Sequence, residues 1–134
     1  MPGQHQLPPI TDVFFTIDQA QFSVVKDDLW LQQPHEGLQP FGHPYLPPFW
    51  VLLKSIGDPL LFEWNADKLK KYSGSIDYYS HGALITQVSF EDAFCIGWRR
   101  QGDYTANAGT NMILESVNIL PASLEWENIN FPQE

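Results

Sequence analysis

The residues of this chain that could carry reactive chemistry are four histidines (His5, His35, His43, His81), one cysteine (Cys95) and two pairs of adjacent carboxylates, Asp27-Asp28 and Glu91-Asp92. A metal centre needs three or four converging ligands, usually announced by a short local spacing. No two of these histidines stand at i, i+4 and none lies near Cys95, so they read as solvated loop residues. Neighbouring residues of a strand point to opposite faces, so neither carboxylate pair is a ready acid–base couple. Cys95, inside "FEDAFCIGW", reads as a buried structural thiol rather than a nucleophile. There is no Gly-x-Ser-x-Gly, no phosphate loop and no dinucleotide fingerprint. The expectation is a protein that is not an enzyme, with no catalytic residue, cofactor or metal.

The surrounding elements are mostly strands. Val13 to Asp18 and Phe22 to Gln32 read as two strands joined by a turn at Asp18-Gln19-Ala20, and "FWVLLKSI" (49–56) as another. Further strands are expected at 75–80, 84–91, 93–104 and 110–120, with turn chemistry in "SHGA" and "NAGT". Leu84, Thr86, Val88 and Phe90 alternate with Ile85, Gln87, Ser89 and Glu91, and Ile113, Val117 and Ile119 alternate less cleanly with Met112, Leu114 and Leu120. Strands apolar on both faces are covered on both sides, and in a domain this small a neighbouring subunit can be the second cover.

One stretch, "LLFEWNADKLKKYSG" (60–74), reads as a helix. Asp58 suits its N-cap and Pro59 its first position. Phe62, Ala66, Leu69 and Tyr72 fall at helical spacing, with Leu61 beside them, so Leu61, Phe62, Leu69 and Tyr72 are expected to pack the helix on the core. Lys68, Lys70 and Lys71 would then complement the dipole at its end, and Gly74 would terminate it. Residues 33–48 hold five prolines and two glycines and read as a long loop of the kind that makes contacts.

At 134 residues, 43% of them hydrophobic, the chain is one globular domain (12–134) behind an irregular arm (1–11). A net charge of −9 with seven basic residues disfavours nucleic acid. No apolar run approaches the roughly 20 residues of a membrane helix, so no membrane insertion is expected. The first residues lack a signal-peptide pattern, which points to cytoplasmic synthesis. Cys95 has no partner for an intrachain disulfide, so the redox compartment stays open.

The order of these motifs resembles the tube protein of the type VI secretion system, Hcp or TssD, in its Bacteroidetes form. The resemblance covers roughly residues 12–127. Leu61, Phe62, Glu63 and Trp64 match its Leu-Phe-Glu-Trp motif, and "SGSIDYY" its Gly-x-Ile-x-Phe/Tyr strand. Phe90 and Asp92 to Trp98 match its Phe-x-Asp-Ala-Tyr-Cys-Val-Gly-Tyr strand with aromatic swaps, and "FSVVKDDLWL" (22–31) fits its second strand.

The resemblance implies a mainly β fold, a small barrel of two antiparallel sheets with a single helix packed against it. It also implies a structural subunit that closes into homo-hexameric rings, stacked as a conduit and exported projectile of a contractile machine. Its expected partners are copies of itself, the spike protein, the sheath and secreted effectors. It would be assembled in the cytoplasm and exported to the medium or a target cell without a signal peptide. Departures concentrate in the arm and in "GLQPFGHPYLPPF", which leaves open a main tube subunit or a specialised paralogue. Leu38, Phe41, Tyr45 and Phe49 are the expected ring-stacking or partner contacts. A competing reading is a small β-sandwich binding module, for carbohydrate for example, with Trp30, Trp50 or Tyr45 as stacking platforms.

Overall fold

Asp18 and Gln19 both take left-handed backbone conformations (φ 45° and 67°), the geometry of a two-residue hairpin turn whose twist suits its flanking strands. That turn joins β1 (Asp12–Ile17) to β2 (Ala20–Asp28) in the computed structural model, which describes residues 8–29, 35–36, 39–40, 47–103 and 112–128. Two dipeptides, β3 (His35–Glu36) and β4 (Gln39–Pro40), pair with each other. Then come β5 (Phe49–Lys54), the helix α1 (Leu60–Ala66), β6 (Tyr72–Ser80), β7 (Ala83–Asp103), β8 (Met112–Leu120) and β9 (Ser123–Asn128).

The strands run β6-β1-β2-β5-β8-β7 in antiparallel pairs, and β6 also pairs with β7, so six strands close into a barrel. Closure removes the open edges that a flat sheet would expose. β9 runs along the first half of β7 beyond the end of β8, pairing Thr86 with Asn128 through Glu91 with Ser123.

Two long strands turn the barrel's corners, each by a bulge that adds a residue and bends the chain. In β2 the register shifts between Val24 and Lys26. In β7 it shifts between Cys95 and Gly97, just after Asp92 adopts a φ of 49°. The segments expected as separate strands at 84–91 and 93–104 are therefore one strand of 21 residues that bends instead of breaking.

Inward positions follow the period-two alternation. Phe15, Ile17, Phe22, Val51, Leu53, Ile76, Phe90, Val117 and Ile119 are buried, and Phe15 stacks on Phe90 at 5.8 Å. Phe49 belongs to this core: it is 2% exposed and lies edge-on to Phe90. That corrects its expected contact role, since Phe49 shares the inward phase of Val51 and Leu53.

The helix is shorter than its apolar spacing implies. Asp58 accepts a bond from the Leu60 N–H at 2.9 Å, and Glu63 N–H reaches Pro59 O, so the start falls one residue later than expected, with Pro59 at the N-cap and Leu60 first in the helix. At Asp67 the chain turns extended (φ −100°, ψ 105°) and the Asp67 carboxylate accepts from the Leu69 N–H at 3.0 Å. That side-chain bond offers the backbone an alternative to another helical turn. Beyond it, Lys70 sits over the ring of Tyr72 and Lys71 over Phe94, so the lysines are not on the helix.

Leu61 packs on the core as expected, but its partner is Trp64, 1% exposed. Phe62 is 51% exposed and Leu69 is 85% exposed, in the turn after the helix, so neither is a core residue of α1. Residues 61 and 64 share the inner face, and 62 falls on the outer one. Tyr72 does pack against the core, but as the first residue of β6, edge-to-face with Trp64 at 5.3 Å. Gly74 caps nothing; it lies within β6, paired with Ile17 of the neighbouring β1, whose backbone leaves no room for a Cβ.

Candidate assembly surfaces

The helix seats on the bent part of β7 through side chains that serve the backbone there. The Trp64 indole N–H is shared between the carbonyls of Lys70 (3.2 Å) and Ala93 (3.3 Å), and Asn65 Nδ2 donates to Cys95 O at 3.1 Å. These bonds give acceptor carbonyls in the turn after the helix and along the bent part of β7 a side-chain donor. With its inner face so committed, α1 leaves Phe62 on the outside, edge-to-face with Trp98 at 5.1 Å.

Trp98 in turn donates its indole N–H to Glu115 Oε1 at 2.8 Å. Glu115 is 4% exposed, and with Ser55, Asp58, Phe62, Trp98 and Arg100 it lines a hollow of about 270 Å³. A buried charged residue at this place went unread in the sequence. The signal was available, because Glu115 shares its inward phase with Val117 and Ile119.

Cys95 lies close by in the bulge, its Sγ 3.3 Å from Gly97 O. Burial pushes its pKa up from 9.0 to about 11, against smaller opposing effects of the Gly97 and Asn65 bonds. A thiol reacts as its thiolate. Labelling of the folded protein at pH 8 is therefore expected to run about 100-fold slower than in denaturant, from the two-unit difference in pKa, and to accelerate as pH rises toward 11. Rates by a chromogenic disulfide reagent check this; fast stoichiometric labelling of the folded chain would contradict it.

On β2 the bulge leaves Val25 43% exposed with Lys26 and Asp28 beside it, while Asp27 turns inward and accepts a short hydrogen bond from Tyr78 Oη. Burial, and then Asp27 as acceptor and as charge, raise the Tyr78 hydroxyl well above the ordinary tyrosine range. On β9, Trp126 is 70% exposed although its indole N–H bonds Thr86 Oγ1 at 2.6 Å. Other exposed apolar side chains include Ile96 (52%) and Ile56 (47%).

Leu38, Phe41 and Tyr45, the expected stacking contacts, lie outside the described residues, as does Trp30. Trp50 is half-buried on β5 beside Val51. Among the described residues no three His, Cys, Asp or Glu side chains are grouped to hold a metal, and no helix is long and apolar enough to cross a membrane. The structure thus brings together apolar and charged surfaces on the flanks of a closed barrel.

Comparison with known proteins gives that arrangement a context. A family model described as hemolysin coregulated protein Hcp (TssD) matches residues 11–133. No curated protein sequence matches significantly. Among solved structures, Hcp1 from Flavobacterium johnsoniae superposes with a TM-score of 0.74 at 16% identity, covering 89% of this chain and 98% of its own. Hcp1 from Salmonella typhimurium gives 0.71 at 14% identity, covering 91% and 89%. A chain of the sheath–tube complex of an extracellular contractile injection system, in its extended state, gives 0.54 at 14% identity, covering 90% and 91%. At such identities the structural likeness speaks to the fold.

Proposed function

We propose, from the premise that this chain belongs to the Hcp (TssD) family, that it is a ring-forming subunit of the inner tube of a contractile secretion system. The observation that carries the reading is the family match across nearly the whole domain. Structure adds to it in two ways. The barrel is closed, so its strands are spent internally, and yet Val25, Phe62, Ile96 and Trp126 remain exposed on its flanks. Several large apolar side chains exposed on one small domain are what a subunit carries before its neighbours cover them. The role is one of assembly and conduction, with no chemical step.

In this reading the subunits close head-to-tail into hexamers, which stack as a conduit for effectors inside a sheath and beneath a spike. Assembly takes place in the cytoplasm, and the tube is exported from the cell. A cyclic head-to-tail interface saturates itself around the ring. Purified protein is therefore expected to scatter light as a hexamer of the 15.3 kDa chain. A monomer mass at high micromolar concentration overturns the reading.

Ring-to-ring contact is assigned to the proline-rich stretch 33–48. Its prolines reduce the entropy lost on docking, and Leu38, Phe41 and Tyr45 supply apolar area. A Phe41→Ser, Tyr45→Ser double variant is expected to keep its ring mass and thermal melt and to lose tube formation. A collapsed melt would place the two rings in the subunit's own core.

A further inference from the structure

Among the described residues Glu115 is the one buried charged side chain, 4% exposed in the hollow between α1, β7 and β8. Its carboxylate receives one bond from the described residues, the Trp98 indole N–H at Oε1. A carboxylate offers about four acceptor positions, and burying a charge is costly unless it is paired. The second oxygen of Glu115 is therefore the unanswered group of this hollow.

The other charges there stand at its rim. Arg100 faces Glu115 across the β7–β8 ladder but is exposed, as is Asp58. These two offset each other and leave the buried carboxylate in excess. Water screens the rim charges, whereas a cation that enters the hollow meets Glu115 in a lower dielectric.

The walls are aromatic. Trp98 and half-exposed Phe62 stand edge-to-face, 5.1 Å apart. At about 270 Å³ the hollow falls just under the range of small-molecule sites, about 300–1,000 Å³, which suits the tip of one side chain.

We propose that the hollow receives a single arginine side chain from a protein other than this one. A guanidinium is planar and weakly hydrated, so it enters at less cost than an ammonium and packs on Phe62 and Trp98. There it donates a charged hydrogen bond to the free Glu115 oxygen. The chain's net charge of −9 draws a basic partner toward it. This chain has only two arginines, Arg99 and Arg100, and both lie on the stretch of β7 that borders the hollow. In a head-to-tail ring that stretch does not meet its own counterpart, so a second copy does not supply the guanidinium. Only this exclusion rests on the ring reading; the site itself lies within one subunit.

The test uses the full chain and a capped glycine-rich pentapeptide with one central arginine, followed by tryptophan fluorescence and titration calorimetry. Saturable binding with a Kd of about 1 mM is expected for so few contacts. The same peptide with neutral citrulline should not bind, and with lysine it should bind more weakly. Glu115→Gln keeps an acceptor for the Trp98 N–H and removes the charge. It is expected to weaken binding about tenfold or more, while its melt stays at or above that of the wild type. Phe62→Ala changes an exposed side chain and should weaken binding about threefold. A wild-type chain that does not bind, beside an Arg100→Gln variant that does, means that Arg100 fills the hollow from within and overturns the proposal. Equal binding of the citrulline or lysine peptide overturns it, as does wild-type affinity in Glu115→Gln. Loss of ring mass in Glu115→Gln overturns it too, because the occupant is then a second copy. A wild-type chain that binds the arginine peptide as a monomer overturns the ring reading and leaves this site standing.

Discussion

Replacing Trp64 with alanine is expected to cost about 3–5 kcal/mol, the range for removing a large buried aromatic. Trp64 is 1% exposed and has the largest side chain among the fully buried residues. Its removal vacates the seat between α1 and β7 and leaves the carbonyls of Lys70 and Ala93 without their donor. It also takes away the ring against which Tyr72 stands at the start of β6. Against a total stability of about 5–15 kcal/mol for a single domain, this is a large fraction. Phe62→Ala, two residues away, is expected to cost under about 1 kcal/mol in the isolated subunit, because half of its surface is already in water. Urea denaturation of both variants below the ring dissociation concentration tests the pair. Equal losses would mean that the inner face of the helix is wrongly assigned.

Gly74→Ala is expected to be nearly as damaging, at about 3 kcal/mol, although it adds a single carbon. A Cβ at this position would stand 2.1 Å from the backbone oxygen of Thr16, 2.7 Å from Ile17 Cγ2 and 3.0 Å from Phe90 Cζ. The first of those is main chain, so relief requires β1 and β6 to separate just where they pair Ile17 with Gly74. Gly82→Ala makes the comparison: it sits at φ 86° with open space around it, so only the left-handed backbone is strained, at about 1 kcal/mol. Melting and urea curves should rank Gly74→Ala well below Gly82→Ala. A Gly74→Ala variant with unchanged stability would show that the two strands do not approach as described.

Much of the barrel was legible in the sequence because its strands keep one physical rule. Phe15 and Ile17, Val51 and Leu53, Val117 and Ile119 each repeat every second residue, and turn-forming residues separate them. The single helix was legible at its start, where Asp58 and Pro59 punctuate it, and illegible at its end. Ala66, Leu69 and Tyr72 continue a helical spacing by coincidence, and only the Asp67 carboxylate bonding Leu69 N–H shows that the chain has left the helix. The same error moved Phe62 and Leu69 inward, since a face is assigned from the whole period. The surfaces proposed for the ring were less legible still. Val25, Lys26 and Ile96 acquire their exposure from bulges, and a one-residue slip in register leaves no local mark on composition. Family resemblance supplied the assembly, which periodicity alone does not contain.

The pairing of β1 with β6 also determines the order in which the subunit can be made. Its partners, from Ile17 with Gly74 to Asp12 with Tyr79, are 57 to 67 residues apart in the chain, whereas β6 meets β7 across the tight turn at His81 and Gly82. Closing a long loop costs entropy before its contacts repay it, and non-local pairings slow folding. On the ribosome the β1–β2 hairpin therefore emerges well before its partner strand exists, with Phe15 and Phe22 still uncovered. The barrel closes only when β8 arrives, since β8 joins β5 to β7 and is the last of the six barrel strands in the chain. A subunit is thus complete only with its last barrel strand: before β8 is made, β5 lacks one of its two neighbours and Phe49, Val51 and Leu53 have no closed core to fill.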